Sequence, residues 1–437
     1  MDDNASGVGN QAREEQMLKR CRNRLRAIAA ASVVALLGLT AASAQDEKPI
    51  RVGVGLALTG AGAAPSKVIQ VALEIWRDDV NAKGGVLGRP VQLVIIDDQS
   101  NPANVPGIYT KLITVDKVDL LLGPYGTNFV APALPAIIQQ NKMTLSFTAI
   151  GINRHFNYDK YFSMVSVGPD GVNAFAKGFF EIAAAQNPKP RTVAILAADA
   201  EFAASCAGGA REEIKKHGFQ VVYDQSYPPA TADFSPMVRA IQAANPDIVY
   251  IGAYPPDTVG IVRAANEVGL NPKMFGGAMI GLMVTPIKMQ LGPIANGLII
   301  GENFAPAAGM NFTGTAEFMK RYTAKAKAAG VDPFGYAWGP FAYGAGQVLA
   351  QAVTETKSLD HDKLAAYLRT ATFDTVAGKF SFAKDGEWST SRQVWTQFQK
   401  VAPQNLDQFR DGSVQPVLWP AELKTGNIVY PYADARK

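Results

Sequence analysis

Apolar strand-like runs alternate with helix-patterned segments along most of this chain, and no other feature restricts its fold as much. "IRVGVGLALTG" (50–60) reads as a strand ending in a glycine turn. "SKVIQVALEIWRDDVNA" (66–82) follows with helical spacing, so that Val68, Val71, Leu73, Ile75 and Trp76 share one broad apolar face. Gly84, Gly85, Gly88 and Pro90 break that helix, and "VQLVIIDDQS" (91–100) with "VPGIYTKLITVDK" (105–117) repeats the pair. "VDLLLGP" (118–124) and the segment after it repeat it again. The pattern resumes with "RTVAILAAD", "FQVVYDQSYP" and "DIVYIGAYP", each followed by a helical stretch. Such alternation predicts βαβ units and parallel sheets. The two runs, 50–145 and 190–300, are separated by "INRHFNYDKYFSMVSVGPDG" and predict two similar α/β lobes. The tail from 300 onward, with a helix in "YAWGPFAYGAGQVLAQAVTET", is expected to complete them.

Residues 17–44 are a separate object. Lys19, Arg20, Arg22, Arg24 and Arg26 form a positive region, Ala27–Leu39 a short apolar run, and Ala42-Ser43-Ala44 a small-residue cleavage site. This reads as a secretory signal peptide, residues 1–44, with Met17 a candidate true start. Its removal takes six of the 42 basic and four of the 38 acidic residues, leaving 36 against 34. That near-balance argues against a nucleic-acid partner, which requires a basic footprint. Cys21 precedes the apolar run, the wrong place for a lipid-modified cysteine, so Cys206 alone survives and no internal disulfide forms. No later apolar stretch reaches membrane-spanning length. The expectation is a soluble periplasmic protein held together by its core.

The turn at Gly123, Pro124 and Gly126 delivers the hydroxyl of Thr127 to the start of a helix. Ligands of open parallel sheets sit beyond the carboxyl ends of the strands. A helix beginning there offers unpaired N–H groups that suit a carboxylate or phosphate. The same residues also fit a plain helix cap by Thr127 or Asn128. Catalytic patterns are thin. Gly60 and Gly62 are followed by Pro65, and Gly53 and Gly55 by Leu58, so neither completes a dinucleotide fingerprint. His155, His217 and His361 lack metal-ligand spacing, Asp97-Asp98 fits a turn, and no nucleophile elbow is present. The chain is expected to hold a small molecule without cofactor, metal or catalysis.

"VGLALTG", "VNAKGGVLGRPVQLVIIDDQSNP", "DKVDLLLGP" and "YPPATADFSPMVRAIQAANPDIVYIGAY" together resemble the periplasmic substrate-binding proteins of branched-chain amino acid ABC transporters, over about Ile50 to Trp395. The resemblance implies a type I periplasmic-binding fold: two doubly wound parallel-sheet lobes joined by a three-stranded hinge and closing on a ligand. The expected division is 45–167 plus 301–374 for the N-terminal lobe and 168–300 plus 375–437 for the C-terminal lobe. The implied partners are a small-molecule ligand and inner-membrane ABC permease subunits, with the protein a monomer.

In the leucine/isoleucine/valine-binding members a serine at this helix mouth holds the ligand carboxylate, and Thr127 stands there, flanked by Tyr125 and Gly126. The cluster after the next strand reads Thr148-Ala149-Ile150, with Ile150 where a threonine meets the amino group. Ala278 stands for the glutamate that pairs with the ammonium, Pro65 and Phe202 for two tyrosines. Tyr254 is kept, and Tyr336 falls where an aromatic wall is expected. A bare buried ammonium is costly. The resemblance thus implies a carboxylate ligand without an ammonium, an aromatic or other organic acid. An amino acid, with its amine partner supplied elsewhere, is the alternative. A periplasmic ligand sensor is an alternative of another class.

Overall fold

β-Branched and aliphatic side chains buried on both faces make the first strand, β1 (Ile50–Leu56), a central one. In the computed structural model, which describes Met17, residues 48–306 and residues 308–437, it is flanked by β2 (Val91–Asp97) and β3 (Leu120–Leu122). Apart from Met17, the expected signal peptide lies outside the described residues. Helix α1 (Ala63–Ala82) and helix α2 (Val105–Thr114) supply the two crossovers. Helix α3 (Thr127–Gln139), β4 (Thr144–Ser146), the short α4 (Asn153–Phe156) and β5 (Tyr161–Ser163) follow. All neighbours in this five-stranded sheet run parallel, in the order β2-β1-β3-β4-β5.

The second run repeats the plan. It comprises α5 (Gly171–Ala184), β6 (Thr192–Ala198), α6 (Glu201–His217), β7 (Gln220–Tyr227), α7 (Ser235–Ala244), β8 (Ile248–Ala253), α8 (Pro255–Val268), β9 (Met274–Met279), α9 (Thr285–Leu291) and β10 (Ile299–Glu302). Strands β7-β6-β8-β9-β10 are parallel. The chain then passes through α10 (Thr315–Ala328), α11 (Gly339–Thr356) and α12 (His361–Thr370) before the hairpin β11 (Thr372–Thr375) and β12 (Gly378–Ser381). Finally β13 (Val394–Gln397), antiparallel to β10, and β14 (Val417–Trp419), antiparallel to β13, extend the second sheet to seven strands.

Helix α11 returns to pack on α1, where Gly346 lies so close to the Trp76 indole that a Cβ would stand 2.2 Å from it. Three segments connect the sheets, and they are bonded to one another at Ser166. Its hydroxyl donates to the Asn303 carbonyl (3.3 Å), and its own carbonyl accepts the Arg392 N–H (2.8 Å). This is the three-stranded hinge of the type I fold.

The hairpin departs from the expected division of the tail. Residues 375–387 were assigned to the second lobe, but β12 pairs only with β11. Ser163 at the end of β5 donates its N–H to the Gly386 carbonyl (2.9 Å), and the Phe162 and Phe382 rings meet at 5.0 Å. The physical reason is apolar: Phe373, Phe380 and Phe382 stack together and need a covered face. The last crossing therefore falls after Glu387.

Candidate functional site

In both sheets the strand order reverses beside the first strand of its run, between β1 and β3 and between β6 and β8. The loops leaving those four strands diverge there and open a crevice. A cleft of about 560 Å³ is lined by residues from all four loops: Ala61 and Gly62, Tyr125 to Thr127, Ala200 and Phe202, and Tyr254 to Asp257.

The first-lobe mouth is built for donation. Gly126 takes φ 83°, ψ 155°, a backbone that suits glycine, and its N–H donates to Thr148 Oγ1 (3.0 Å). Thr127, buried, opens α3, and its Oγ1 accepts the Ile150 N–H (3.2 Å). That bond leaves the hydroxyl proton for an oxygen in the cleft. Neither Thr127 nor Asn128 caps its own helix: Asn128 Oδ1 accepts the N–H of Phe202 (3.0 Å) in the other lobe. Among the described residues, no acceptor meets the N–H of Thr127 or Asn128, and the first turn of α3 carries no acid. The mouth thus combines a positive helix end, two open N–H groups and one hydroxyl.

The second-lobe wall is largely apolar. Phe202 packs edge-on against Phe175 (5.3 Å) and Tyr254 (6.2 Å), and Ile280 and Met283 lie beyond β9. Asn128 Nδ2 donates to the Tyr254 hydroxyl (2.7 Å), so one carboxamide spans both lobes. Burial holds the Tyr254 phenol above its ordinary pKa and hence neutral. Trp338 closes the remaining side, edge-on to Tyr125 at 6.1 Å. Asp257 is the one carboxyl among the described lining residues, with Oδ2 accepting the Tyr227 hydroxyl (3.0 Å). Burial pushes its pKa upward, with the Tyr227 hydrogen bond opposing.

Of the residues expected at the site, Tyr125, Gly126, Thr127, Thr148, Phe202 and Tyr254 line the cleft. The others stand behind it. Ile150 contributes its N–H to Thr127, and the Ala149 carbonyl accepts the Ser163 hydroxyl. Pro65 is buried within α1. Ala278 is enclosed inside β9 opposite Gly252, and Ile280, two residues on, reaches the cleft instead. Tyr336 stacks on Phe334 and Phe304, and its hydroxyl donates to the Arg410 carbonyl (2.8 Å); the aromatic wall is Trp338. Asn128, Asp257, Ile280 and Trp338 were missed. Asn128 and Asp257 carried a legible signal, since both sit in the first turn of a helix at a point of strand reversal.

The remaining candidates are structural. His361 Nδ1 accepts the Met143 N–H (3.0 Å), and burial lowers its pKa to about 4. Asp97 accepts the Thr59 hydroxyl (2.7 Å) and nearby N–H groups, fixing the loop after β1. Cys206 is buried in the core. Among the described residues, no three His, Cys, Asp or Glu converge to hold a metal.

A family model described as periplasmic binding protein matches residues 49–397. The chain belongs to the periplasmic binding protein family. Members of this family are the solute-binding proteins of transporters, not enzymes. The chain is 25% identical to a Leu/Ile/Val-binding protein homolog 2 of Brucella abortus, over 86% of this chain and 98% of that one. Among solved structures it is similar to the branched-chain amino acid transporter substrate-binding protein of Streptococcus pneumoniae in complex with isoleucine. The TM-score is 0.69 at 20% identity, covering 85% of this chain and 100% of that one. It is equally similar in fold to an R. palustris ABC transporter solute-binding protein in complex with 4-hydroxybenzoate. There the TM-score is 0.69 at 18% identity, covering 81% and 94%. As a periplasmic binding protein, the chain needs a cleft and a hinge between two lobes, and a cleft and a hinge are present here. No described helix is long and apolar enough to cross a membrane.

Proposed function

We propose that this periplasmic binding protein captures a small carboxylate-bearing ligand that lacks an ammonium, an aromatic or other organic acid, and delivers it to an inner-membrane ABC permease. It works as an exported monomer in the periplasm. The observation that carries the reading is the mouth of α3: two open N–H groups, the Thr127 hydroxyl proton and no acid in the first turn. These donors suit a carboxylate. The α-ammonium of an amino acid lies one carbon from its carboxylate and would sit at this same mouth. The side chains there are Thr148 and Tyr125, with Gly126 already engaging Thr148 Oγ1, and the one carboxyl among the described lining residues, Asp257, belongs to the opposite lobe and already holds the Tyr227 hydroxyl. The 4-hydroxybenzoate complex of the R. palustris protein supports an aromatic acid on this fold.

A matched pair of ligands tests the reading. Leucine and 4-methylpentanoate differ only in the amino group. Titration calorimetry on protein refolded from denaturant should find the deaminated acid at least about tenfold tighter, or about 1.4 kcal/mol. Tighter binding of leucine would overturn the proposal.

A further inference from the structure

The helix mouths that face the cleft from the two lobes have opposite chemistry. The mouth of α3 offers donors. The mouth of α8 begins Pro255-Pro256, which carry no N–H, and its first turn holds Asp257. The mouth of α6 has its Phe202 N–H already taken by Asn128. The α3 mouth is thus built to receive an anion, whereas the α8 mouth offers an acceptor. Asp257 is buried and lines the cleft together with Pro229, Ile280 and Met283, and Tyr227 is the one described side chain that hydrogen-bonds its carboxyl.

We propose that Asp257 is a second polar subsite, accepting a hydrogen bond from a hydroxyl on the end of the ligand remote from its carboxylate. The inference rests on the carboxylate reading above and narrows it to hydroxy acids. The donor is a hydroxyl because a buried ammonium needs several acceptors, and this wall supplies few. Tyr227 already occupies one oxygen of Asp257, and the Thr231 hydroxyl donates to the Pro228 carbonyl (2.7 Å).

Two ligand pairs, benzoate with 4-hydroxybenzoate and cinnamate with 4-hydroxycinnamate, test this by calorimetry on the full mature chain. In the wild type the hydroxy acid of at least one pair should bind about tenfold tighter than its partner, the worth of one hydrogen bond to a carboxylate. Asp257→Ala should bring that ratio close to one, and measurable binding of the plain acid, at whatever affinity, shows that the variant folds. Asp257→Asn, which keeps an acceptor, should preserve most of the preference. A ratio near one in the wild type for both pairs, or a preference that survives Asp257→Ala, overturns the subsite but leaves the carboxylate reading standing. A 4-aminomethyl analogue that binds tighter than the hydroxy acid, and loses that advantage in Asp257→Asn, overturns the hydroxyl assignment. If no acid of either pair binds, the subsite is overturned, and the carboxylate reading is decided separately by leucine against 4-methylpentanoate.

Discussion

Thr127 carries the most weight of any single residue in this account, because its hydroxyl oxygen accepts inside the first lobe and so leaves its proton for a ligand in the cleft. Thr127→Val removes the donor at the carboxylate end, a hydrogen bond to a charged group worth about 1.5–3 kcal/mol. Calorimetry should show acid affinity falling roughly 10- to 100-fold, whereas Thr127→Ser should stay near the wild type. Glu387 gives a second test, of stability. It is buried, and burial, helped by the neighbouring Asp385, raises its pKa to about 8. The folded state then holds a proton that the unfolded state releases above the ordinary carboxylate range. Its contribution is fully present at acid pH and is lost as pH rises from that range through about 8. Urea unfolding at pH 5 and pH 8.5 should show Glu387→Gln losing less stability between the two than the wild type does. An equal loss in both proteins would contradict the assignment. The residue scale is also where the sequence was hardest to read. Thr127 was legible because strand, turn and helix start converge on it. Ala278 and Tyr336 were misplaced because a pairing of positions by resemblance is insensitive to a shift of two residues, and such a shift puts Ile280 and Trp338 in the cleft instead.

Among the elements, α3 links the lobes as well as forming one mouth of the cleft. Asn128 in its first turn bonds the Phe202 N–H at the start of α6 and the Tyr254 hydroxyl at the end of β8. Each neutral bond is worth about 0.5–1.5 kcal/mol. Asn128→Ala should therefore speed ligand release severalfold in stopped-flow measurements. Asn128→Asp keeps an acceptor for Phe202 but sets a negative charge beside the anion site, so it should weaken acid binding more than alanine does. The reverse order would mean that the mouth does not hold an anion. The alternating strands and helices of 50–145 and 190–300 were legible because most of the buried strands are apolar runs, and β1, β3 and β8 are followed closely by glycine or proline. The hairpin of β11 and β12 was not, since its short strands bury alternate residues only, and its place is set by distant aromatic contacts with Phe162 and Trp388. Local pattern does not carry such information.

For the molecule as a whole, function follows from topology. Two sheets reverse their strand order at corresponding points, so four loops converge on one cleft, and three hinge segments joined at Ser166 connect the lobes. The doubly wound plan could be read from the order of elements, but the depth and chemistry of the cleft depend on which side chains the two lobes present to each other. The most direct test of the central claim is a thermal-shift screen of mature protein, residues 45–437, stripped of ligand by refolding. Leucine, isoleucine, valine and phenylalanine are set against benzoate, hydroxybenzoates, hydroxycinnamates and aliphatic keto acids. A ligand present at about 100 times its dissociation constant adds roughly 2.7 kcal/mol, a rise of a few degrees for a chain this size. The account predicts that rise with an organic acid and none with the amino acids. A rise with leucine and none with the acids would contradict it.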